Sequence, residues 1–365
     1  MEYQHGGDIY GNPQIELDYS VNVSPLGLPE GVREAACRAI SESSRYPDSL
    51  CRKLRWALGR HYGLSWEWIV CGNGAADLLF ALVNAKKPQR ALLFAPTFQE
   101  YECALRAVNC EIEVCFLQEE EQFVCGEAYF RQLESQKYDM VFLCNPNNPT
   151  GTVMTRSQVQ RVAKLCQKQQ AFLVVDECFC DFLQEEEEVT ALPLLEEFPN
   201  LLVLRAFTKL YAMAGLRLGY AFCRDAELIE ALHRVRQPWS VSHIAQEAGL
   251  AALKEKEYVR QVKDLLMQEK PFLESGLRAL GFLVYSGRAN YILFALPKEK
   301  REEERKQPYL YEAMKEQGIL IRDCRNYRGL DGGYYRICVG KREDNQRVLA
   351  ALRKALASLD TGTKE

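Results

Sequence analysis

The amino-acid sequence predicts an α/β fold, with a mostly parallel sheet flanked by helices and a smaller α+β domain at the C-terminal end. Two patterns indicate this fold. Short apolar runs alternate with helix-like stretches in the middle of the chain, and the pattern changes at about residue 225. Continuous apolar strands separated by helices are typical of parallel sheets that are covered on both faces. The 365 residues are enough for one large domain with an appendage.

Buried strands are predicted where the chain is continuously apolar, and helices where it is amphipathic. The predicted strands of the large domain are Ala91–Ala95, Met140–Cys144, Phe172–Val175, Leu201–Leu204 and Leu218–Cys223, with a helix at Arg156–Gln169. Beyond them we predict a long helix within Ala245–Leu280, strands at Tyr291–Ala295, Ile319–Ile321 and Tyr335–Val339, a helix at Tyr309–Gln317, and a last helix to about Leu359.

These elements divide the chain into four parts. We predict an irregular N-terminal arm (residues 1–45), a large ligand-binding domain (46–240), an interdomain helix (241–280) and a small C-terminal domain (281–365). Two charged runs, Glu185–Glu188 and Lys298–Lys306, are expected to be solvated loops.

Composition and charge exclude several classes of protein. Lys and Arg total 46 against 50 Asp and Glu, so binding to nucleic acid through bulk charge is not expected. No apolar run approaches the roughly 18 residues of a membrane span, and the first residues lack the features of a signal peptide. The 14 cysteines include no paired CxxC sets. We therefore expect reduced thiols, no metal site, no membrane partner and a cytoplasmic location.

Polar and glycine-rich groups follow the predicted strands, where ligands bind in sheets of this kind. Taken singly, an Asn-Pro turn, a capping Asp or a Gly-Asn-Gly turn is an ordinary structural feature. Taken together they suit a phosphorylated, electron-poor aromatic aldehyde. The groups are Gly72, Asn73 and Gly74, then Phe98, then Asn145–Gly151 with Asn148, then Asp176, Lys209 and Arg217.

Each group has a chemical reason to contact such a ligand. Lys209 can form a Schiff base with the aldehyde, and Asp176 can keep a pyridine nitrogen protonated. The amides of Gly72–Gly74 at a helix start can bind phosphate, which Arg217 can neutralise. Phe98 can stack on the aromatic ring.

The ordered motifs NPNNPTG, DECF, TK and GLRLGY resemble the fold-type I pyridoxal phosphate enzymes of the class I/II aminotransferase family. The resemblance implies pyridoxal 5′-phosphate as cofactor, bound covalently by Lys209. It also implies that Asp176 pairs with the pyridinium, that Asn148 contacts the ring oxygen O3′, and that Thr208 and Arg217 contact the phosphate. It implies homodimers with shared sites, in which Tyr46 reaches the neighbouring subunit's cofactor.

Two positions depart from the family pattern. Phe179 stands where a tyrosine usually contacts O3′, so that hydrogen bond is absent. Ala206 stands where Ser or Thr commonly contacts the phosphate, so Thr208 and the Gly-Asn-Gly turn are expected to bind more of it.

The substrate is expected to carry two anionic groups, because arginines occur on two strands predicted to face the cleft. The resemblance assigns the substrate carboxylate to Arg336, and we expect Asn148 to help orient it. We expect Arg322, with His5 or Asn22, to hold a second anion. Further motifs, among them His5–Gly7 and Gly287–Tyr291, resemble a decarboxylating branch of the family that acts on a phosphorylated amino acid.

Three other classes of protein share part of this sequence pattern. An aminotransferase of the same family, acting on a phosphorylated substrate without a carboxylate, stays open. A non-catalytic regulator with a helix-turn-helix domain is disfavoured because about 45 residues precede the first core motif. A dinucleotide enzyme is disfavoured because no G-x-G-x-x-G motif follows a predicted strand.

Overall fold

The computed structural model describes residues 5–362, and side chains are described for residues 5–357. Its strands form three sheets of seven, four and two strands. In chain order the strands are β1 (Leu17–Asp18), β2 (Ile69–Gly72), β3 (Arg90–Ala95), β4 (Glu111–Phe116), β5 (Met140–Cys144), β6 (Phe172–Asp176), β7 (Leu201–Ala206), β8 (Gly219–Cys223), β9 (Leu283–Val284), β10 (Tyr291–Ala295), β11 (Ile319–Leu320), β12 (Arg322–Asp323) and β13 (Tyr334–Cys338).

The helices pack around these sheets. In chain order they are α1 (Glu30–Ile40), α2 (Arg52–Tyr62), α3 (Ala75–Lys86), α4 (Glu100–Ala107), α5 (Glu127–Ser135), α6 (Arg156–Gln169), α7 (Glu186–Val189), α8 (Phe207–Leu210), α9 (Ala226–Val235), α10 (His243–Ala252), α11 (Lys256–Ala279), α12 (Arg301–Lys306), α13 (Tyr309–Glu316) and α14 (Arg342–Gly362).

The seven-stranded sheet is the centre of the large domain, with strand order β2-β8-β7-β6-β5-β3-β4. Strands β4, β3, β5, β6 and β7 are parallel, whereas β8 pairs antiparallel with both β7 and β2. The predicted mostly parallel sheet is therefore confirmed. Strands β5 and β6 are buried at every position, which is why they read as continuous apolar runs in the sequence.

Two strands of this sheet escaped the prediction. The edge strand β4 has the sequence EIEVCF, in which only Cys115 is buried, so it is not an apolar run. The strand β2 is buried throughout but has only four residues, the last of which is the glycine that opens the turn before α3. Both strands were missed because only continuous apolar segments were counted as strands.

A four-stranded antiparallel sheet, β12-β13-β10-β9, forms the C-terminal part of the fold. The N-terminal arm is tied to this part, because β1 pairs in parallel with β11 at Leu17↔Ile319 and Asp18↔Leu320. The arm is not irregular throughout, since α1 occupies Glu30–Ile40 and packs extensively on α10.

Three predictions about the second half need correction. The expected long helix within Ala245–Leu280 is two helices, α10 and α11, separated by a turn at residues 253–255. The charged run Lys298–Lys306 is a 3₁₀ turn followed by α12, and its Arg301 and Glu304 are buried. Glu185–Glu188 is also not a simple loop, because Glu186 begins α7 and pairs with a buried arginine. From the sequence alone these charged runs were expected to be exposed, because the residues that pair with them lie far away along the chain.

The carboxyl ends of β3, β5, β6 and β7 meet at one edge of the sheet because these strands are parallel. The segments that follow them are therefore brought together, from Pro96–Phe98 to Asn145–Gly151 to Asp176–Phe179 and to α8. This edge is where the candidate site lies.

Candidate active site

Asp176 and Lys209 lie at neighbouring strand ends. Strand β6 ends at Asp176, and β7 is followed at once by α8, which carries Lys209. The Asp176 carboxylate is 6% exposed. Its Oδ1 accepts the Cys178 amide N–H at 3.0 Å, and its Oδ2 accepts the Tyr101 hydroxyl at 2.7 Å. Asp176 is therefore a buried carboxylate that is held by two donors.

The Lys209 amine occupies a desolvated, positively charged setting. Burial lowers the pKa of Lys209 to about 8, and the charges of Arg336 and Arg217 act in the same direction. Its Nζ lies 5.7 Å from the centroid of the Phe179 ring. An amine with a pKa near 8 is partly neutral at physiological pH, so Lys209 can act as a nucleophile or exchange a proton there.

Asn148 and Arg336 form one hydrogen-bonded group across the two main sheets. Asn148 Oδ1 accepts hydrogen bonds from the Arg336 guanidinium and, at 3.2 Å, from the Tyr327 hydroxyl. Arg336 also donates to the Ser20 carbonyl at 2.7 Å. Within the described residues, the buried Nε of Arg336 and Oδ1 of Asn22 have no protein partner. Buried polar atoms without partners are unusual and mark a place where a ligand or water completes the structure.

The glycine turn before α3 meets Arg217 closely. A Cβ atom on Gly74, which has φ +83°, would lie 2.6 Å from Nη2 of Arg217, so the guanidinium lies directly over the Gly74 backbone. The predicted amide donors need revision, because Asn73 N–H bonds to Asp77 Oδ2 and Gly74 N–H to the Gly72 carbonyl. The helix N-terminus still offers first-turn amides, beginning at Ala75, that no α-helix can satisfy internally.

A cavity of about 420 Å³ brings together two other predicted residues, His5 and Arg322. Arg322 pairs with Arg336 across β12 and β13, so the two guanidinium groups come from neighbouring backbone positions. Arg322 donates to Asn326 at 2.7 Å and lies over the Tyr327 ring, 5.3 Å from its centroid. His5 Nε2 lies 3.1 Å from Oε1 of a glutamate at the start of α4. Arg322 and Lys315 line the cavity together with three acidic side chains, Asp8, Glu312 and Asp323, so an anion would bind there through Arg322 or Lys315.

The remaining predicted residues differ in exposure. Thr208 is buried beside Lys209, and Phe98 packs edge-on against Tyr101 with ring centroids 5.6 Å apart. Tyr46 is 81% exposed, and its ring contacts Trp239 at 4.7 Å between centroids. The expected role of Tyr46 in the neighbouring subunit's site stays a prediction.

A buried ionic cluster lies directly behind the site. Arg205, four residues before Lys209, and Glu177, the residue after Asp176, both have fully buried side chains. Arg205 Nη2 lies 2.7 Å from Glu177 Oε2, and its Nη1 lies 2.6 Å from Asp181 and 2.7 Å from Glu186. The cluster ties the ends of β6 and β7 together beneath the two reactive side chains.

The sequence prediction missed several contacts of the site. Tyr101, which bonds to Asp176, lies on α4 three residues after Phe98, and no local pattern in the sequence indicates this contact. Tyr327 was given no role from the sequence, yet its hydroxyl donates to Asn148. Tyr291 donates to the Asn147 carbonyl at 2.8 Å. The contact of Arg336 with the Ser20 carbonyl could not be predicted, because every residue has a backbone carbonyl and the sequence does not show which one is used.

The chain belongs to the aminotransferase class I and II family, whose model matches residues 14–352. It is 36% identical to threonine-phosphate decarboxylase of Salmonella typhimurium over 97% of both chains. Among solved structures it resembles histidinol-phosphate aminotransferase from Clostridium acetobutylicum, with a TM-score of 0.84 and 26% identity over 93% of this chain and 98% of that one. It also resembles L-threonine-O-3-phosphate decarboxylase from Porphyromonas gingivalis, with a TM-score of 0.80 and 25% identity over 93% and 99% of the two chains.

These likenesses confirm the predicted family and the fold-type I architecture. Members of this family are pyridoxal-phosphate-dependent enzymes, and the residues of the site fit that cofactor. A desolvated amine, a buried carboxylate held by two donors and a helix N-terminus beside Arg217 correspond to its aldehyde, its ring nitrogen and its phosphate. Within the described residues, the Arg336 Nε and Asn22 Oδ1 atoms keep hydrogen-bonding capacity that no protein group uses.

Between residues 5 and 362 no helix is both long and apolar enough to cross a bilayer. In the same part of the chain, no group of three or more His, Cys, Asp or Glu side chains is arranged to hold a metal ion.

Proposed function

We propose that this protein is a pyridoxal-phosphate-dependent decarboxylase that converts L-threonine O-3-phosphate to (R)-1-amino-2-propanol O-2-phosphate and CO2. The product would serve cobalamin biosynthesis as the linker of the corrinoid nucleotide loop. One observation supports this proposal most directly. Arg322 and Arg336 are cross-strand neighbours, both buried, and suit a substrate with two anionic groups. The likeness to the Salmonella typhimurium enzyme, which is named for this activity, supports the same substrate.

The substrate's two anionic groups would be bound by different arginines. Arg336 would bind the substrate carboxylate, with Asn148 fixing the orientation of its guanidinium. Arg322 and His5 would bind the substrate phosphate in the adjoining cavity. The choice between losing CO2 and losing the Cα proton depends on which bond to Cα stands perpendicular to the cofactor ring, and these anchors set that orientation.

Bound pyridoxal phosphate supplies an electron sink for the electron pair that remains when CO2 leaves. Asp176 would hold the proton on the pyridine nitrogen, as its buried, doubly hydrogen-bonded carboxylate allows. Lys209 would hold the cofactor before substrate arrives and afterwards return a proton to Cα, for which a pKa near 8 is well matched. Thr208, Arg217 and the first turn of α3 would bind the cofactor phosphate.

The test is to incubate the holoenzyme with O-phospho-L-threonine and measure CO2 and aminopropanol phosphate. The Arg322→Gln variant should lose most activity on the phosphorylated substrate. Arg328→Gln, which removes an exposed arginine from the loop that follows β12, is the matched control and should keep this activity. Absence of CO2 release from the parent enzyme would refute the proposal.

The second candidate is histidinol-phosphate aminotransferase, which the likeness to the Clostridium acetobutylicum structure favours. Its substrate has no carboxylate, so Arg336 would then serve only the amino-group acceptor. Formation of glutamate from 2-oxoglutarate with histidinol phosphate, without CO2, would select this candidate.

Two further expectations belong to the same proposal. A homodimer would use the exposed pair of Tyr46 and Trp239 to complete the partner's site, and size measurement in solution by light scattering tests it. The 14 cysteines all lie in the described part of the chain and form no disulfide there, which supports a reducing, cytoplasmic location.

A further inference from the structure

One buried tyrosine contacts the site without a role in the proposed reaction. Tyr101 lies on α4 and is 1% exposed. Its hydroxyl donates to Asp176 Oδ2 at 2.7 Å, while the other carboxylate oxygen is occupied by the Cys178 amide. The carboxylate plane is therefore fixed by one donor on each oxygen, and Tyr101 is the only one of the two that a side-chain substitution can remove.

The Tyr101 ring is itself firmly positioned. It stacks on Phe142 of β5, with centroids 5.2 Å apart and an interplanar angle of 19°. It also meets the edge of Phe98, the residue expected to cover the cofactor ring. Tyr101 thus connects Asp176, which would hold the ring nitrogen of the cofactor, with Phe98, which would stack on the cofactor ring.

The hydroxyl is a permanent donor. Burial, followed by the charge of Asp176, raises the pKa of Tyr101 well above its usual range, so the proton stays on oxygen at every working pH. A hydrogen bond donated to a carboxylate stabilises its charged form and makes it a weaker base. A weaker base takes a smaller share of a proton that it shares with a pyridine nitrogen.

We propose that Tyr101 is a positioning residue that acts through Asp176, keeping the shared proton on the cofactor nitrogen and the carboxylate in the ring plane. This inference rests on the cofactor assignment of the proposed function and not on the identity of the substrate. Without the Tyr101 hydroxyl, the shared proton moves towards Asp176 and the electron sink weakens.

The experiment compares Tyr101→Phe with the parent enzyme, both loaded with pyridoxal phosphate labelled with ¹⁵N in the ring. Tyr129→Phe is the matched control, because Tyr129 is fully buried and its hydroxyl has no partner within the described residues. We expect the ¹⁵N resonance of Tyr101→Phe, recorded without substrate, to move towards the unprotonated position. We expect kcat to fall about tenfold, the size of one hydrogen bond to a charged group, with KM unchanged within about twofold.

A double-mutant cycle separates this role from simple packing. In an Asp176→Asn background, Tyr101→Phe should cause no further change in the ¹⁵N shift, because its effect passes through the carboxylate. The proposal is overturned if the shift of Tyr101→Phe equals that of the parent, if Tyr129→Phe changes it equally, or if the two substitutions are additive. Since the ¹⁵N measurement uses no substrate, a wrong substrate assignment would leave its result unchanged.

Discussion

The depressed pKa of Lys209 leads to a quantitative prediction about how the apoenzyme takes up its cofactor. Only a neutral amine can attack an aldehyde. With a pKa of about 8, about one quarter of the Lys209 amines are neutral at pH 7.5. For a lysine with an ordinary pKa of about 10.4, only about one amine in a thousand is neutral at that pH. The structure therefore predicts that Lys209 attacks the aldehyde roughly 200-fold faster than an ordinary lysine whose neutral amine is equally reactive.

The assay follows the absorbance of bound cofactor after pyridoxal phosphate is added to apoenzyme between pH 6 and 10. The rate should rise about tenfold per pH unit up to a midpoint near 8 and then level off, whereas a free lysine analogue should level off above pH 10. Arg336→Gln removes a charge that lowers the Lys209 pKa, so its midpoint should lie at higher pH.

Lys270 offers the control for that experiment. It is a second buried lysine, whose pKa burial also lowers to about 8, and it donates to the carbonyls of Gly287 and Ala289. Lys270→Met should leave the midpoint unchanged if the titration belongs to Lys209. A parent midpoint near 10, or a rate that does not change with pH, would refute the reasoning.

The other predictions concern stability and cofactor affinity. Arg205→Met leaves the buried Glu177 carboxylate without its cationic partner. We expect the free energy of unfolding in urea to fall by about 3–5 kcal/mol, and Glu177→Gln added to this variant should recover part of the loss. An unchanged urea midpoint would contradict this prediction. Partial burial acts to raise the pKa of Glu119, but hydrogen bonds from Arg301 and two tyrosines outweigh it and lower the pKa to about 2. The charged Glu119 therefore contributes its full stabilisation above about pH 4.5, and this contribution is lost as the pH falls towards 2. Glu119→Gln should reduce the pH dependence of the free energy of unfolding between these two values. An unaltered pH dependence would contradict this prediction. Gly74→Ala strains a backbone with φ +83° and displaces the guanidinium above it, so cofactor affinity measured by fluorescence titration should fall about tenfold or more, and an equal affinity would be inconsistent with phosphate binding there.

The sequence located the central residues of the site because of how parallel sheets are built. Asn148, Asp176 and Lys209 each follow a continuous apolar run of the sequence, and the carboxyl ends of the parallel strands that these runs form meet at one edge. Order along the chain was therefore sufficient to predict that these side chains come together. The family resemblance then supplied their expected roles.

Contacts between distant segments could not be predicted in this way. Arg301 and Glu304 stand in a run that looks solvated, yet they are buried because Arg301 binds Glu119 and Glu304 bonds to Tyr335. Those partners are far along the chain, and no local pattern indicates them. The same reason explains why Tyr101, a helical residue beyond a strand end, was not assigned to the site.

The contacts of the N-terminal arm bear on how the enzyme is made in the cell. The Ser24 amide donates to the Lys209 carbonyl at 2.9 Å, and Arg336 donates to the Ser20 carbonyl at 2.7 Å. The pocket therefore needs groups that lie 316 residues apart along the chain. A ribosome must translate past Arg336 before the vitamin B6 pocket can close, and a nascent chain that stops short of residue 336 would lack the guanidinium that binds the Ser20 carbonyl.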